Sequence, residues 1–257
     1  MKQITNLIPN EVKTADLVVV SHSGGKDSQA TLIAIDKMVK DGEIQGKVII
    51  VHSDLGAMEW EPMENWIIKN SMGYEFHVVE SEMDFFEMCR KYKRLPSGMQ
   101  QFCTDFLKVK PIGAFIHDYM YKHNLKTAIN VTGMRAEESK RRAKKLLFEL
   151  SKMTQPRKHS EHTIYEYMPI FKLTTEDVFE AIKNAGQEPH EIYSKGFSRL
   201  SCVFCVNGRI AEHKLAAKMR PELFKKVADL EKELGKTYRL KQVKGVKYNK
   251  YMTEYCG

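Results

Sequence analysis

The sequence lacks long hydrophobic runs, repeats and a secretion pattern. No apolar stretch among its 257 residues approaches the length of a membrane span. The first residues, MKQITNLIPNEV, do not combine a basic segment with the apolar segment of a signal peptide. No internal repeat or low-complexity segment is visible. These absences argue against a membrane-embedded, secreted or repeat protein, so we expect a cytoplasmic protein with no membrane partner.

Cysteine is scarce, and basic residues outnumber acidic ones. Five unevenly spread cysteines are a poor disulfide framework, and in a reducing compartment they are better interpreted as metal ligands or reactive thiols. Forty-one Lys and Arg against thirty-three Asp and Glu give a net charge of +8. This charge suits a protein that handles phosphates or nucleic acid, although an ordinary soluble surface would also account for it.

Apolar, β-branched runs alternate with segments of helical spacing. The runs are 16–21, 47–52, 74–79 and 127–132, and the helical segments include 30–39 and 62–72. Nearly continuous Val and Ile predict strands that helices cover on both faces. We therefore predict an α/β fold with a doubly wound parallel sheet and a small, helical, basic C-terminal extension, in which 210–234 is helical. The predicted domains are 1–195 and 196–257.

The segment SHSGGKDS, residues 21–28, lies where the first predicted strand meets a helix. Gly24 and Gly25 allow the backbone to approach an anion closely, and Lys26 adds a positive charge. Ser23 and Ser28 offer hydroxyl groups near the start of the helix. The segment therefore predicts a phosphate site, although its spacing fits neither GxxxxGK(S/T) nor GxGxxG. An ordinary strand-to-helix turn is the alternative.

The hexapeptide SGGKDS resembles the PP-loop of the ATP pyrophosphatases and their adenine nucleotide alpha hydrolase-like relatives. That resemblance implies cleavage of ATP between its α and β phosphates. The segment VHSDLG resembles the His-x-Asp-x-Gly segment of this family and implies that Asp54 lies near the nucleotide or its Mg²⁺. An acid on a solvated loop is the simpler interpretation of Asp54.

The segment TGMRAEESKRRAKK resembles the Gly-x-Arg-x-x-Glu-Ser-x-x-Arg motif of the phosphoadenosine phosphosulfate reductase family. The resemblance implies that Gly133 gives the turn its conformational freedom. It also implies that Arg135 and Arg142 bind phosphate oxygens in a bidentate manner. A charged, solvated helix is the alternative. The resemblance implies catalytic roles for Lys26, Asp54 and Arg135. The full set expected at the nucleotide is Ser21, Ser23, Gly24, Gly25, Lys26, Asp27, Ser28, Asp54, Gly133, Arg135 and Arg142.

The pair Cys202 and Cys205 forms a CxxC motif, a spacing that lets two thiolates meet one metal ion or cluster. In cluster-bearing relatives a cysteine followed by Lys and Pro accompanies such a pair, which implies Cys103 as a third ligand. In reductases with a four-iron cluster a second cysteine lies directly beside this one, whereas in this chain Thr104 follows Cys103. Three ligands suit a [4Fe-4S] cluster with one open iron, as in sulfur-transferring relatives, or a Zn²⁺ site completed by a histidine.

Two further cysteines are interpreted differently. Cys89 is predicted to be a small buried apolar residue. Cys256 stands near the position of the reductases' nucleophilic cysteine, but its context, Glu-Tyr-Cys-Gly, departs from Glu-Cys-Gly-(Leu or Ile)-His. We therefore favour a non-catalytic Cys256. The nine histidines are scattered and form no HExxH or comparable pattern, so none of them is assigned a role.

The leading hypothesis is an enzyme that binds ATP with Mg²⁺, releases pyrophosphate and adenylylates an acceptor for sulfur insertion. The acceptor could be a nucleic acid, with a sulfur-donor protein as a second partner, and the sequence leaves open a homo-oligomer. The first alternative is a reductase of adenylylated sulfate that uses Cys256. The second is a nucleic-acid-binding or defence-associated module with a regulatory nucleotide site, suggested by the basic segment 140–145 and the basic C-terminal end.

Overall fold

The computed structural model describes residues 8–61, 63–98, 100–154, 161–243 and 246–256. Two compact units divide the chain. The first unit contains the described residues of Met1–Ser53, Pro62–Val79 and Ile112–Leu200, and the second those of Asp54–Glu61, Glu80–Pro111 and Ser201–Gly257. The predicted division into 1–195 and 196–257 stays a prediction.

A six-stranded sheet has the order β3-β2-β1-β4-β6-β5. Strand β1 pairs in parallel with β2 and β4, and β4 pairs in parallel with β6. Strand β5 is antiparallel to β6, which the sequence did not predict. The predicted fold class, a mostly parallel α/β sheet, is confirmed. The strands of the sheet are β1 (Leu17–Ser21), β2 (Lys47–Asp54), β3 (Glu75–Glu80), β4 (Thr127–Thr132), β5 (Phe148–Leu150) and β6 (Thr163–Tyr167).

The helices follow the strands in the alternation that the sequence predicts. They are α1 (Asn10–Thr14), α2 (Lys26–Lys40), α3 (Glu64–Lys69), α4 (Phe85–Lys91), α5 (Phe102–Thr104), α6 (Lys110–Lys122), α7 (Thr175–Asn184), α8 (Ile210–Met219), α9 (Pro221–Leu234) and α10 (Met252–Cys256). A π-helical turn spans Asp105–Val109. Short 3₁₀ turns span Gly56–Met58, Ala136–Glu138, Arg142–Lys144, Lys152–Thr154 and Glu191–Tyr193. In the described part of the chain, no helix is long and apolar enough to cross a membrane.

Helices cover both faces of the sheet because both faces of its strands are apolar. On one face, Val18 and Val20 of β1 pack in a core with side chains of α2 and α7. On the other, Leu17 and Val19 share a core with Ile116 of α6. This two-sided burial explains why the strand runs are nearly continuous in Val and Ile. Because β1, β2, β4 and β6 are parallel, their carboxyl ends lie at one edge of the sheet, where ligands bind in open α/β sheets.

The second unit is built from helices and one strand pair. The predicted helix 210–234 is two helices, because Pro221 has no N–H to continue α8 and instead occupies the first turn of α9. Gly235 ends α9 with a positive φ of 59°. Beyond it, β7 (Arg239–Val243) pairs antiparallel with β8 (Val246–Lys250), a hairpin that the sequence did not predict.

Candidate nucleotide site and cysteine group

The loop between β1 and α2 is crowded, and this crowding requires its two glycines. Gly24 has a φ of +78°. A Cβ atom there would lie 2.2 Å from Cε of Met63, and one on Gly25 would lie 3.3 Å from the Tyr193 hydroxyl oxygen. The indole nitrogen of Trp66 donates to the Gly24 carbonyl at 3.1 Å. The glycines therefore let neighbouring side chains approach the loop backbone.

Two serines hold the loop in a compact turn. The Ser28 hydroxyl donates to the Gly25 carbonyl at 2.8 Å, and the Ser23 amide donates to the Ser28 hydroxyl oxygen at 3.2 Å. The two hydroxyl oxygens are 3.4 Å apart. Both predicted phosphate ligands thus lie side by side at the start of α2, where the helix dipole favours an anion.

A buried histidine supports this loop, and sequence reasoning missed it. Nδ1 of His22 accepts from the Gly24 amide at 3.1 Å, which places the ring proton on Nε2. Burial, assisted by the neighbouring His52, lowers the pKa of His22 to about 3. His22 is therefore neutral near pH 7 and acts as a hydrogen-bond acceptor for the loop.

Lys26, Asp27 and Arg135 form a buried chain of charges. Nζ of Lys26 lies 2.8 Å from Oδ2 of Asp27, and Nε of Arg135 lies 2.7 Å from Oδ1 of the same carboxylate. Only 4% of the Lys26 side chain and 3% of the Arg135 side chain are exposed. Buried charges of this kind persist only when paired. Asp27 thus holds two cations, and both of its oxygens are occupied.

Arg135 makes further hydrogen bonds that fix its guanidinium. It donates to Oε2 of Glu137 at 2.5 Å, and to the Leu173 carbonyl and the Thr175 hydroxyl at 3.2 Å each. Arg142 is likewise paired, with the carboxylate of Glu138. Both predicted phosphate ligands therefore bind acidic side chains in this structure.

Gly133 lies where the loop after β4 meets the first turn of α2. A Cβ atom at this position would lie 2.8 Å from the carbonyl carbon and oxygen of Asp27 and 2.9 Å from the Ser28 amide nitrogen. Backbone atoms cannot move aside as a flexible side chain can. Gly133 therefore permits close packing between the two predicted phosphate-binding segments.

The Tyr193 hydroxyl oxygen accepts a hydrogen bond from the first backbone amide of α2. It accepts from the Lys26 amide at 2.8 Å and from the Leu200 amide at 3.4 Å. Nζ of Lys26 lies 5.6 Å from the centroid of the Tyr193 ring. Burial raises the pKa of Tyr193 to about 12, so the phenol stays protonated near pH 7. A neutral oxygen thus binds an amide that the sequence assigns to phosphate.

A row of polar side chains crosses the sheet from Ser21. The Ser21 hydroxyl donates to Oδ1 of Asn130 at 2.7 Å. Nδ2 of Asn130 donates to the two carboxylate oxygens of Glu166 at 3.1 and 2.9 Å. The Ser151 hydroxyl donates to Oε1 of Glu166 at 2.7 Å. Asn130, Glu166 and Ser151 were not identified from the sequence. The feature that could have indicated them is a polar residue inside or beside an apolar strand.

Asp54, at the end of β2, belongs to the second unit. Its Oδ1 accepts from the Gly56 amide at 2.8 Å, which stabilises the turn after the strand. A carboxylate that accepts one hydrogen bond retains other lone pairs for a cation.

Four of the five cysteines influence one another in the second unit. A hydrogen bond with Cys205, together with burial, raises the pKa of Cys202. Burial and then Cys205 raise the pKa of Cys103. Burial and then Cys103 raise the pKa of Cys89 to about 12. Cys89 is fully buried, as predicted, but its nearness to another thiol was not. The thiols of Cys89, Cys103 and Cys202 are therefore protonated near pH 7.

Tyr238 lies among these cysteines. Burial, and then the neighbouring thiols, raise its pKa well above the ordinary value. Its ring centroid is 6.3 Å from that of Phe85 in α4 and 6.4 Å from that of His213 in α8. Nε2 of His213 is 2.8 Å from the Cys205 carbonyl oxygen. Tyr238 thus joins the helix that carries Cys89 to the CxxC segment.

The cysteine group does not form a coordination shell. Across the residues that the structure describes, no three or more His, Cys, Asp or Glu side chains are arranged to hold a metal ion. The donor chemistry still fits a soft metal, since thiols are the ligands that zinc and iron–sulfur clusters use. Cys256 ends α10 and is half-buried.

Several known proteins and one protein family are similar to this chain. Residues 17–207 match the family model described as "Phosphoadenosine phosphosulfate reductase domain". Two curated relatives come from Methanocaldococcus jannaschii. Uncharacterized protein MJ0973 is 28% identical over 84% of this chain and 47% of its own length, and uncharacterized protein MJ0066 is 26% identical over 87% and 43%. This chain thus spans less than half the length of both.

Among solved structures, a phosphoadenylyl-sulfate reductase from Candida auris is similar to this chain. It is 15% identical, with 78% of this chain and 91% of that chain covered and a TM-score of 0.47.

Proposed function

Because the chain belongs to the phosphoadenosine phosphosulfate reductase domain family, we propose that it is an enzyme that binds ATP at the loop 21–28. It cleaves ATP between the α and β phosphates and adenylylates an acceptor. The observation that carries this proposal is the glycine-dependent loop at the start of α2, with Lys26 buried beside it. Such a site suits a polyphosphate, since backbone approach, a helix N-terminus and a fixed cation act together.

Lys26 would stabilise the charge that develops on the leaving pyrophosphate. Its ammonium is held by Asp27, and Arg135 in turn holds Asp27. Arg135 is therefore better assigned to positioning Lys26 than to binding phosphate directly. When the nucleotide binds, the Lys26 amide would donate to a phosphate oxygen in place of the Tyr193 hydroxyl oxygen. The protein thus supplies charge that is already oriented before the reaction.

A divalent cation fits Asp54 better than Asp27. Both oxygens of Asp27 already bind cationic side chains, whereas Asp54 accepts a hydrogen bond from the neutral Gly56 amide. A bound Mg²⁺ would neutralise phosphate charge. We therefore propose Asp54 as the Mg²⁺ ligand and Asp27 as the residue that orients Lys26.

We propose the group Cys103, Cys202 and Cys205 as the site of an iron–sulfur cluster or Zn²⁺. Their thiol chemistry supports this assignment, and metal binding would require the thiols to lose their protons. A cluster would supply a place for transferable sulfur, which makes a nucleic acid or another sulfur acceptor the expected substrate and a sulfur-donor protein the expected partner. The net charge of +8 is compatible with a nucleic-acid acceptor.

The experiment compares wild type with Lys26→Ala, Ser23→Ala and the matched control Lys37→Ala. Lys37 lies on the same helix, but it is exposed and pairs with Asp41. Losing a charge-assisted phosphate contact should weaken ATP binding by about ten- to a hundredfold in Lys26→Ala. Equal ATP affinity in all four proteins, measured by calorimetry with circular dichroism to verify folding, would remove the loop from the site.

A second candidate function follows from the family itself, which includes reductases of adenylylated sulfate. In that reaction the Cys256 thiolate would attack the sulfonate sulfur and displace the adenine nucleotide, which leaves a thiosulfonate on Cys256. A dithiol protein would then release sulfite, restore the thiol and be oxidised to its disulfide. The same loop would bind the nucleotide in both reactions, so the nature of the products separates the two functions.

A further inference from the structure

The polar row from Ser21 to Ser151 has a fixed direction. Asn130 and Ser151 are buried, with 3% and 4% of their surface exposed. Neighbouring positions in the sheet carry the row: Asn130 of β4 is in register with Glu166 of β6. The row begins at Ser21, the last residue of β1 and the first of the nucleotide loop. A buried row of this kind needs every member to be satisfied.

The carboxylate of Glu166 determines how the Asn130 amide is oriented. Both of its oxygens accept in this structure, Oε1 from the Ser151 hydroxyl and from Nδ2 of Asn130, and Oε2 from Nδ2 of Asn130. The amide must therefore turn its Nδ2 to Glu166 and its Oδ1 to Ser21. The opposite orientation would place two acceptors face to face.

This orientation leaves Ser21 as an acceptor only. Its single hydroxyl proton is used by Oδ1 of Asn130 at 2.7 Å, so only lone pairs remain for a ligand. Phosphate oxygens are acceptors too and would be repelled. The next residues, from Ser23 to Ser28, supply the hydroxyl and amide donors that a phosphate needs.

We propose that Ser21 accepts a hydrogen bond from a ribose hydroxyl of the bound nucleotide, and that Asn130, Glu166 and Ser151 position it for that role. The inference rests on the proposed nucleotide site and assigns one residue of it to the sugar. ATP offers donors at its ribose hydroxyls and its adenine amine. Of these donors, the ribose hydroxyls lie nearer to the phosphates. Ser21 comes two positions before Ser23, where the phosphate-binding residues begin, so the ribose is the expected partner of Ser21.

The test measures affinities of ATP, 2′-deoxyATP, 3′-deoxyATP and pyrophosphate for wild type, Ser21→Ala and Ser23→Ala by calorimetry. Wild type should prefer ATP over one deoxy analogue by about two- to tenfold, the value of one neutral hydrogen bond. Ser21→Ala should lose this preference and bind pyrophosphate as wild type does. Ser23→Ala, the contrasting variant, should weaken pyrophosphate and all nucleotides alike and keep the preference.

A second variant tests the positioning role. Glu166→Gln replaces the carboxylate by an amide that can donate, so the Asn130 amide is no longer held in one orientation. The preference for ATP over the deoxy analogue should fall, while pyrophosphate affinity stays unchanged. Glu161→Gln is the matched control, because Glu161 is exposed and pairs with Lys126 at the surface.

The outcomes separate this inference from the proposed function. Failure of wild type to bind ATP would overturn both. ATP binding with no preference over either deoxy analogue would overturn the ribose contact alone. Loss of pyrophosphate affinity in Ser21→Ala would also overturn it, because Ser21 would then bind phosphate.

Discussion

The loop region and the cysteine group each contain buried residues, such as Lys26 and Cys89, but they differ in charge. Around the loop, buried Lys26 and Arg135 meet the carboxylate of Asp27. In the cysteine group, burial and mutual proximity keep the thiols of Cys103 and Cys202 protonated near pH 7. The loop region is therefore organised by its own ion pairs before any ligand binds. The cysteine group becomes a set of metal ligands only after it loses protons.

This difference separates two kinds of mutational effect. A variant of Arg135 leaves carboxylates without their guanidinium partner and so affects stability as well as ligand binding. A variant in the cysteine group replaces a neutral thiol and should affect mainly what the thiols bind.

The largest expected effect is on metal content. Wild type purified without oxygen should carry bound iron or zinc. Cys103→Ala should lose nearly all of this metal, because removing one of three thiol ligands leaves only two to hold it. Cys256→Ala, the matched control, should retain the metal. Elemental analysis with visible absorption provides the measurement. Metal-free wild type, or equal metal in Cys103→Ala, would contradict the proposed site.

A large effect on stability is expected at Arg135. Arg135→Met leaves Asp27 and Glu137 without their guanidinium partner, so the free energy of unfolding should fall by about 3 kcal/mol. Arg142→Ala should cost less than about 1 kcal/mol, because that pair is partly exposed.

Urea unfolding followed by Trp66 fluorescence, in a Trp60→Phe background, reports this region, since Trp66 donates to the Gly24 carbonyl. Similar losses in the Arg135 and Arg142 variants would show that the charge chain is not a special feature of the loop.

A smaller and pH-dependent effect is expected at His22. Its pKa falls from 6.5 to about 3 on folding, so between these values the unfolded chain binds a proton that the folded chain does not. The free energy of unfolding should therefore decrease as the pH is lowered through this window, by about 1.4 kcal/mol per pH unit from this one group.

His22→Asn keeps an acceptor for the Gly24 amide but does not titrate, so its pH slope should be shallower by that amount. Cys103→Ala should keep the wild-type slope, because thiols are protonated in both states at acidic pH. Equal slopes in wild type and His22→Asn would exclude a buried neutral histidine.

The sequence predicted features whose signal is local. The strands β1, β2, β3 and β4 follow from short β-branched runs, and the loop follows from one hexapeptide. The helix predicted over 62–72 is shorter, Glu64–Lys69, with Pro62 outside the described residues. The turn after it includes Met72 at a φ of 56°. Boundaries of this kind depend on local backbone geometry that apolar spacing does not encode.

Features formed by distant residues were missed. Asn130 and Glu166 are 36 positions apart and meet only because β4 and β6 are neighbours. Tyr193 reaches the Lys26 amide across 167 positions. The pairing of Arg135 with Asp27 was also not predictable, because either an acid or a phosphate would satisfy a guanidinium. Pattern and resemblance thus identified residues at the site, while the tertiary fold determines which atoms remain available to a ligand.

The most direct test of ATP cleavage at this loop is product analysis with wild type and Cys256→Ser. We predict pyrophosphate release from ATP with Mg²⁺ in both proteins at nearly equal rates, since the proposed reaction needs no protein nucleophile. The account would be contradicted if wild type cleaved no ATP but released sulfite from an adenylylated sulfate, and if Cys256→Ser abolished that release. Such a result would identify a reductase.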